Sequence, residues 1–244
     1  MAVSLVEAGL NVGNYFFGGG GGGRGSISTI VFPSGTYANA APGDLIVAVV
    51  ASSKQIASFS SNWTQIVNTG AGSSWVAAFY RVLAGGVYPG PDDLAVTWQA
   101  TNPSWTANFA FLRSPTGFDS TCIKSNQQNA ATNAGASYAL GVSLSGVSAG
   151  ELSIAIGGAH SLTGYMSNTC GVSGTAWTLQ AAGGTPGYTG GTCTMVATCP
   201  TTGTPAVPSV TYNVSGQSMN KFIFAAVIRE APAQPPAGGG LFWG

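Results

Sequence analysis

Short runs of β-branched and aromatic residues fill most of the chain, and Gly, Pro, Asn and Ser separate them. Such runs predict β-strands, and a helical period of apolar residues is nowhere sustained. Between residues 26 and 115 the runs begin 8–20 residues apart, which is typical of antiparallel β-sandwiches and not of βαβ units. The predicted strands are 26–32, 44–51, 64–68, 75–83, 94–99 and 105–113, then 138–144, 151–158, 177–182, 193–199, 209–214 and 222–229.

The pattern occurs twice along the chain. Residues 42–49 return as 149–156, 62–64 as 176–178, 96–98 as 210–212, and 109–113 as 225–229. The offsets of 107, 114, 114 and 116 residues keep the order, which predicts a duplicated architecture. We therefore expect an all-β, antiparallel, jelly-roll-like β-sandwich built from two closely packed repeated halves.

Glycine and proline mark the predicted domain boundaries. Residues 1–25 are expected to form an N-terminal Gly-rich arm, and 231–244 a Pro/Gly-rich C-terminal arm. Between them lie the first sandwich repeat (26–115), a connector (116–133) and the second repeat (134–230).

Each predicted arm carries an aromatic group that needs burial. Buried aromatic side chains dominate interface hot spots, so we expect these groups to dock on neighbouring subunits. The alternative for the C-terminal group is that it folds back on its own sandwich. The predicted docking residues are Tyr15, Phe16, Phe17, Leu241, Phe242 and Trp243.

Charge is scarce. Seven Lys or Arg and seven Asp or Glu make up 6% of 244 residues, against about a quarter in ordinary domains. A protein with so few charged residues is expected to be packed against neighbouring molecules. The basic residues are scattered, which argues against nucleic acid and anionic lipid as partners. No apolar run is long enough for a transmembrane helix, and residues 1–7 do not fit a signal peptide, so synthesis in a cytoplasm is expected.

The groups capable of catalysis are few. Asp92 and Asp93 are adjacent at a predicted strand start, where neighbouring side chains point to opposite faces, which argues against a catalytic pair of carboxylates. No other residue nearby supplies the further oxygen ligands that a Ca²⁺ site needs. The single histidine, His160, accompanies no nucleophile elbow and cannot complete a zinc set. We predict that the protein is not an enzyme and has no cofactor or metal.

Two repeated polar pairs are interpreted as structural. Asp44 and Glu151 each follow a glycine at a strand start, which is typical of a turn. Arg113 and Arg229 end equivalent strands, where a cap or a local pair is expected.

The four cysteines, at positions 122, 170, 193 and 199, have no metal-binding spacing. Along one strand Cys193 and Cys199 would lie about 20 Å apart, beyond the ~7 Å Cα separation that a disulfide allows. Buried free thiols are favoured, and a pairing of Cys170 with Cys193 or Cys199 stays open.

Two repeated Trp-Thr pairs open strands, at Trp63 and at Trp177. A large aromatic residue at the same place in two copies favours a core anchor over a sugar-stacking platform.

The order of motifs resembles a β-sandwich domain of tailed-bacteriophage virion proteins. The resemblance covers about residues 26–230 and rests on Gly-Asp-Leu-Ile-Val-Ala (43–48), Asn-Trp-Thr (62–64), Phe-Tyr-Arg-Val (79–82) and Phe-Ala-Phe-Leu-Arg (109–113), followed by a second Gly-Glu-Leu (150–152) and Trp-Thr (177–178). These domains occur as head decoration or cement proteins, head fibres and tail components. The resemblance implies a structural role in the virion without catalytic residues.

Two functions follow as expectations. The first is a virion structural protein made in the host cytoplasm, with the major capsid protein or neighbouring structural subunits as partners, and a homo-oligomer, with a trimer favoured. The second is a glycan- or receptor-binding module of a tail or fibre that uses loops 160–175 and 182–191. Its predicted contact residues are Tyr165, Trp177 and Tyr188.

Overall fold

The protein is all-β. The computed structural model describes residues 2–12, 27–30, 41–71, 74–83, 94–100, 105–133, 137–139, 144–161, 166–173, 176–185, 192–214 and 219–232. These residues form sixteen strands and no helix. Among them there is therefore no helix that could cross a membrane. The first eight strands are β1 (Ser4–Val12), β2 (Ile27–Ile30), β3 (Leu45–Ser52), β4 (Ile56–Phe59), β5 (Thr64–Ala71), β6 (Ser74–Val82), β7 (Leu94–Trp98) and β8 (Trp105–Arg113).

A second set of eight strands follows in the same arrangement. These are β9 (Ile123–Asn133), β10 (Ser137–Ala139), β11 (Leu152–Ser161), β12 (Met166–Ser173), β13 (Thr178–Thr185), β14 (Thr192–Cys199), β15 (Ser209–Val214) and β16 (Met219–Ile228).

Each set of eight strands is an antiparallel jelly roll of two sheets. In the first jelly roll a five-stranded sheet has the order β1-β8-β3-β6-β5, and a three-stranded sheet has the order β2-β7-β4. In the second they are β9-β16-β11-β14-β13 and β10-β15-β12. Adding eight to each strand number of the first jelly roll gives the second, so the two halves have one topology.

The two five-stranded sheets pack face to face, which gives the molecule four layers. On β3, Leu45, Val47 and Val49 lie in a central core between these sheets, together with Ile154 and Ile156 of β11. The alternate β3 residues Ile46, Ala48 and Val50 pack into the interior of the first jelly roll. Both faces of β3 are therefore buried, which is why its sequence is apolar from Leu45 to Ala51 instead of alternating.

Each of the twelve predicted strands overlaps an observed strand, although 138–144 does so only at 138–139, and the predicted boundaries need correction. Residues 4–12, assigned to an arm, form edge strand β1, and 123–133, assigned to the connector, form edge strand β9. The predicted loop 160–175 contains β12, and the loop predicted to begin at 182 lies within β13 up to Thr185. Strand β4 was also missed. Edge strands pair on one side only, so they can lack the apolar pattern that identifies buried strands.

The glycine run belongs to a connection between strands. Residues 13–26 join β1 to β2, whereas 134–136 join the equivalent strands β9 and β10. The first jelly roll therefore carries a long insertion at this point, attached to a strand at both ends. Residues 13–26 themselves lie outside the described part of the chain.

Two ends of the molecule are used below. The turn end is where β3 and β11 begin, and it includes the turns at 41–44 and 148–151. The loop end is where β3 and β11 finish, at Ser52 and Ser161. A hydrogen bond from Val3 N to Gly150 O (2.8 Å) brings the turn ends of both jelly rolls together.

Candidate functional site

The same turn opens β3 and β11. Gly43 and Gly150 have φ of +87° and +92°, which glycine adopts without strain. The N–H groups of Asp44 and Glu151 each bond the carbonyl three residues earlier, at 3.1 Å. In return, each carboxylate accepts the N–H of the residue three positions before it, at 2.8 Å. The prediction that both acids are turn residues is confirmed.

The two acids have different cationic partners. Arg113 donates from Nε and Nη2 to both oxygens of Asp44, at 2.8 and 2.7 Å, and this pairing raises the pKa of Arg113. Glu151 instead binds Lys124 Nζ at 2.8 and 2.9 Å. Arg229 donates to the carbonyl of Thr121 (2.9 Å), a role different from that of its equivalent Arg113.

A shallow depression lies beside these ion pairs, between the 149–151 turn and residues 229–232. Its charged groups already bond within the chain: Glu151 to Lys124, Arg229 to Thr121, and Glu230 to Ser114 Oγ at 2.9 Å. All the residues that line the depression belong to the second jelly roll and the segment that follows it.

Three of the four cysteines are buried and form no disulfide: Cys122, Cys193 and Cys199. The pairing of Cys170 that the sequence left open is therefore not formed; the Cys170 side chain itself lies outside the described part. Burial, assisted by the nearby charge of Asp119, raises the pKa of Cys122 to about 11. A thiol with so high a pKa is a poor nucleophile.

Both repeated tryptophans are core residues. Trp63 is 3% exposed in the interior of the first jelly roll, and Trp177 is 8% exposed in that of the second. Trp177 Nε1 also donates to Ala206 O at 2.6 Å. The core interpretation is confirmed, and the alternative use of Trp177 as a ligand contact is wrong, because its ring is not available for stacking.

The two interiors also differ at the loop end. In the first jelly roll Ser52 lies opposite Trp75 on one side and Trp105 on the other. In the second, Ala159 takes the place of Ser52, and Cys193 and Lys221 take those of Trp75 and Trp105. Lys221 is only 2% exposed, and burial lowers its pKa. Sequence reasoning missed this lysine because it lies next to Asn220, just before the apolar run that begins at Phe222.

Several of the predicted site residues lie outside the described part of the chain. These are Tyr15, Phe16, Phe17, Asp92, Asp93, Tyr165, Tyr188, Leu241, Phe242 and Trp243. The backbone of His160 lies in β11 opposite Asn220, but its side chain is also outside the described part. Among the residues that are described, His, Cys, Asp and Glu form no group of three that could hold a metal ion.

The arrangement of strand ends bears on both expected functions. In the second jelly roll the connections 162–165, 186–191 and 215–218 all attach to strands at the loop end. The insertion 13–26 attaches at Val12, which lies opposite Thr106 at the start of β8 and so is also at the loop end. Residues 233–244 attach at the turn end, where Ala231 N bonds Gly117 O at 2.9 Å.

In comparisons with known proteins, no family model, no curated protein and no solved structure matches the chain.

Proposed function

We propose that the chain is a non-enzymatic structural protein of a tailed-bacteriophage virion, a capsid decoration or cement protein or another surface component. It is made in the host cytoplasm and assembles through its Gly-rich segments with copies of itself, a trimer being favoured. Its other partners are the major capsid protein or neighbouring structural subunits.

The placement of the two aromatic–glycine segments carries this proposal. The segment containing Tyr15, Phe16 and Phe17 attaches at the loop end, and the segment containing Phe242 and Trp243 attaches at the turn end. Strand β8, with seven residue steps between Thr106 and Arg113, separates the two attachment points by about 24 Å at 3.4 Å per residue. A block with a docking segment at each end can connect two neighbours.

The packing supports a mechanical role. The central core fuses the two jelly rolls through the faces of their five-stranded sheets, so they form one block and not two domains on a linker. Jelly rolls occur in viral capsid proteins but also in lectins and cupins, so topology alone does not decide the function.

The described acidic groups are used to hold the fold. Asp44 and Glu151 stabilise turns and ion pairs, Asp119 accepts from Thr121 N and Oγ1 (both 2.7 Å), and Glu230 accepts from Ser114. The hydrogen bonds to Thr121 lower the pKa of Asp119, which keeps this carboxylate ionised and acceptor-only.

The solution mass tests assembly through the C-terminal segment. We compare the full chain with a chain that ends at Pro232, which keeps the hydrogen bonds of Ala231 to Gly117 and Thr116. A matched full-length variant replaces Leu241, Phe242 and Trp243 with alanine. We expect a discrete oligomer for the full chain and a smaller one for both variants. Equal masses for all three would rule out docking by this segment.

The second candidate is a glycan- or receptor-binding module of a tail or fibre. The observation that favours it is the common attachment of 162–165, 186–191 and 215–218 at the loop end. Titration with host surface polysaccharide tests it, with Tyr165→Ala and Tyr188→Ala as variants. The control is Tyr80→Phe. Tyr80 lies at the turn end, where its hydroxyl bonds Ser120 O, and so away from the three connections. Saturable binding that only the two alanine variants lose would favour this module.

A further inference from the structure

Each five-stranded sheet ends in two edge strands, and β9 differs from the other three. Strands β1, β5 and β13 carry a register shift that leaves six, five and five residues in unbroken register with their neighbour. In β9 the shift lies at Lys124, and the nine residues 125–133 are in unbroken register with β16. Register shifts are one way in which proteins prevent edge strands from pairing further, and β9 lacks one over this length.

The composition of β9 also leaves its edge unprotected. Residues 125–133 read Ser-Asn-Gln-Gln-Asn-Ala-Ala-Thr-Asn, with no charged residue, proline or glycine. Charged side chains and proline are the usual devices that block edge pairing. Asn126, Gln127 and Gln128 are exposed to solvent.

The one charge on β9 is directed back onto its own jelly roll. Lys124 Nζ binds both carboxylate oxygens of Glu151 and donates to Gly146 O at 2.6 Å. Lys124 is therefore held at the turn end, away from the outer edge of 125–133. In the described part of the chain, β16 is the only strand that pairs with β9.

We propose that β9 is an assembly edge that pairs antiparallel with β9 of a second copy of this chain, about a two-fold axis. The second copy fits because residues 125–133 contain no charged residue, so self-pairing of the two edges brings no like charges together. Amide side chains both donate and accept, so they hydrogen-bond to their own kind. The same surface then serves both partners, which is the requirement of a two-fold interface. The two second-jelly-roll sheets become one continuous sheet across the dimer.

This inference goes beyond the proposed function, because it needs neither a virion nor the Gly-rich segments. If those segments also assemble a trimer, its three β9 edges pair it face to face with one second trimer. If they do not, the edge joins two single chains. Loss of the β9 contact therefore halves the mass of the particle in both cases.

The test is the solution mass of the full chain carrying Asn126→Lys and Gln128→Lys. These exposed positions tolerate substitution, but in the dimer they place four added positive charges along one edge pair. The matched control is Gln65→Lys, an exposed glutamine on edge strand β5. We expect the double variant to have half the mass of the unmodified chain, and the control to keep the full mass.

A second measurement guards against misfolding. The near-UV circular dichroism of the double variant must match that of the unmodified chain, and its backbone amides at 125–133 must exchange hydrogen faster. A monomeric unmodified chain would overturn the proposal and point to a strand from another protein as the occupant. An unchanged mass for the double variant, or a halved mass for Gln65→Lys, would also overturn it.

Discussion

Asn108 on β8 and Thr194 on β14 join the two jelly rolls inside the central core. Asn108 Nδ2 donates to Thr194 O at 2.7 Å and to its Oγ1 at 2.9 Å, and both residues are fully buried. The pair is a directional contact beside the apolar side chains of this core. It fixes how the two five-stranded sheets lie on one another.

Asn108→Ala is expected to lower the free energy of unfolding by about 1–3 kcal/mol, because it leaves a polar group of Thr194 without its donor. Thr194→Val removes only the hydroxyl and is expected to cost less. Denaturant unfolding of both variants and of the double variant gives the coupling energy, expected at about 0.5–1.5 kcal/mol. Strict additivity would mean that the pair contributes nothing across the interface.

Gly158 allows the two sheets to approach closely. A Cβ at this position would lie 3.2 Å from Cγ2 of Val76 and 3.3 Å from Cβ of Ala51, both on the opposite sheet. Gly158→Ala is therefore expected to destabilise the protein by about 1–3 kcal/mol through overpacking. The same substitution in a Val76→Ala background removes the closest contact and should cost less. An equal cost in both backgrounds would contradict close packing as the cause.

The two ion pairs at the turn end should differ in importance. Asp44 is more deeply buried than Glu151, with side chains 3% and 13% exposed. Removing the cation leaves an uncompensated carboxylate charge, and this costs more free energy for the more buried Asp44. Arg113→Met is therefore expected to lower the melting temperature more than its matched control Lys124→Met. Thermal melts at pH 7 compare them, and the reverse order would contradict this ranking.

Cys122 makes stability depend on alkaline pH. Its pKa of about 11 in the folded protein exceeds the ordinary value of 9.0, so the unfolded chain loses the thiol proton first. The protonated thiol therefore contributes fully to the free energy of unfolding below pH 9. This contribution, up to about 3 kcal/mol, is lost as the pH rises from 9 to 11. Unfolding of Cys122→Ala over this range should show a smaller fall in stability. Parallel pH profiles for variant and unmodified chain would show that the thiol does not titrate as described.

The sequence predicts the buried strands well and the edges poorly. β3 is apolar on both faces because two cores meet on it, and this run is easy to identify. β9 has one neighbouring strand and a mostly polar sequence. Its pairing with β16 depends on backbone hydrogen bonds, which cannot be predicted from the identity of the side chains. The turn role of Asp44 and Glu151 was predictable from Gly-acid-Leu, because the turn is local.

Contacts between distant segments were beyond prediction. Lys124 takes the place that symmetry with Arg113 would assign to Arg229, and the pairing requires knowledge that β9 passes beside the 148–151 turn. The exchange of Trp75 and Trp105 for Cys193 and Lys221 is likewise visible only once the strand register is known.

The most direct test of the proposed virion role is quantitative mass spectrometry of purified phage particles that encode this chain. Washing the particles with high salt removes proteins that are held by surface charge alone. A protein with so few charged residues does not depend on such attraction and should stay bound. We expect peptides from both jelly rolls in a fixed ratio to the major capsid protein, before and after the wash. Their absence from intact particles, with the protein abundant in the infected-cell lysate, would contradict a structural role in the virion.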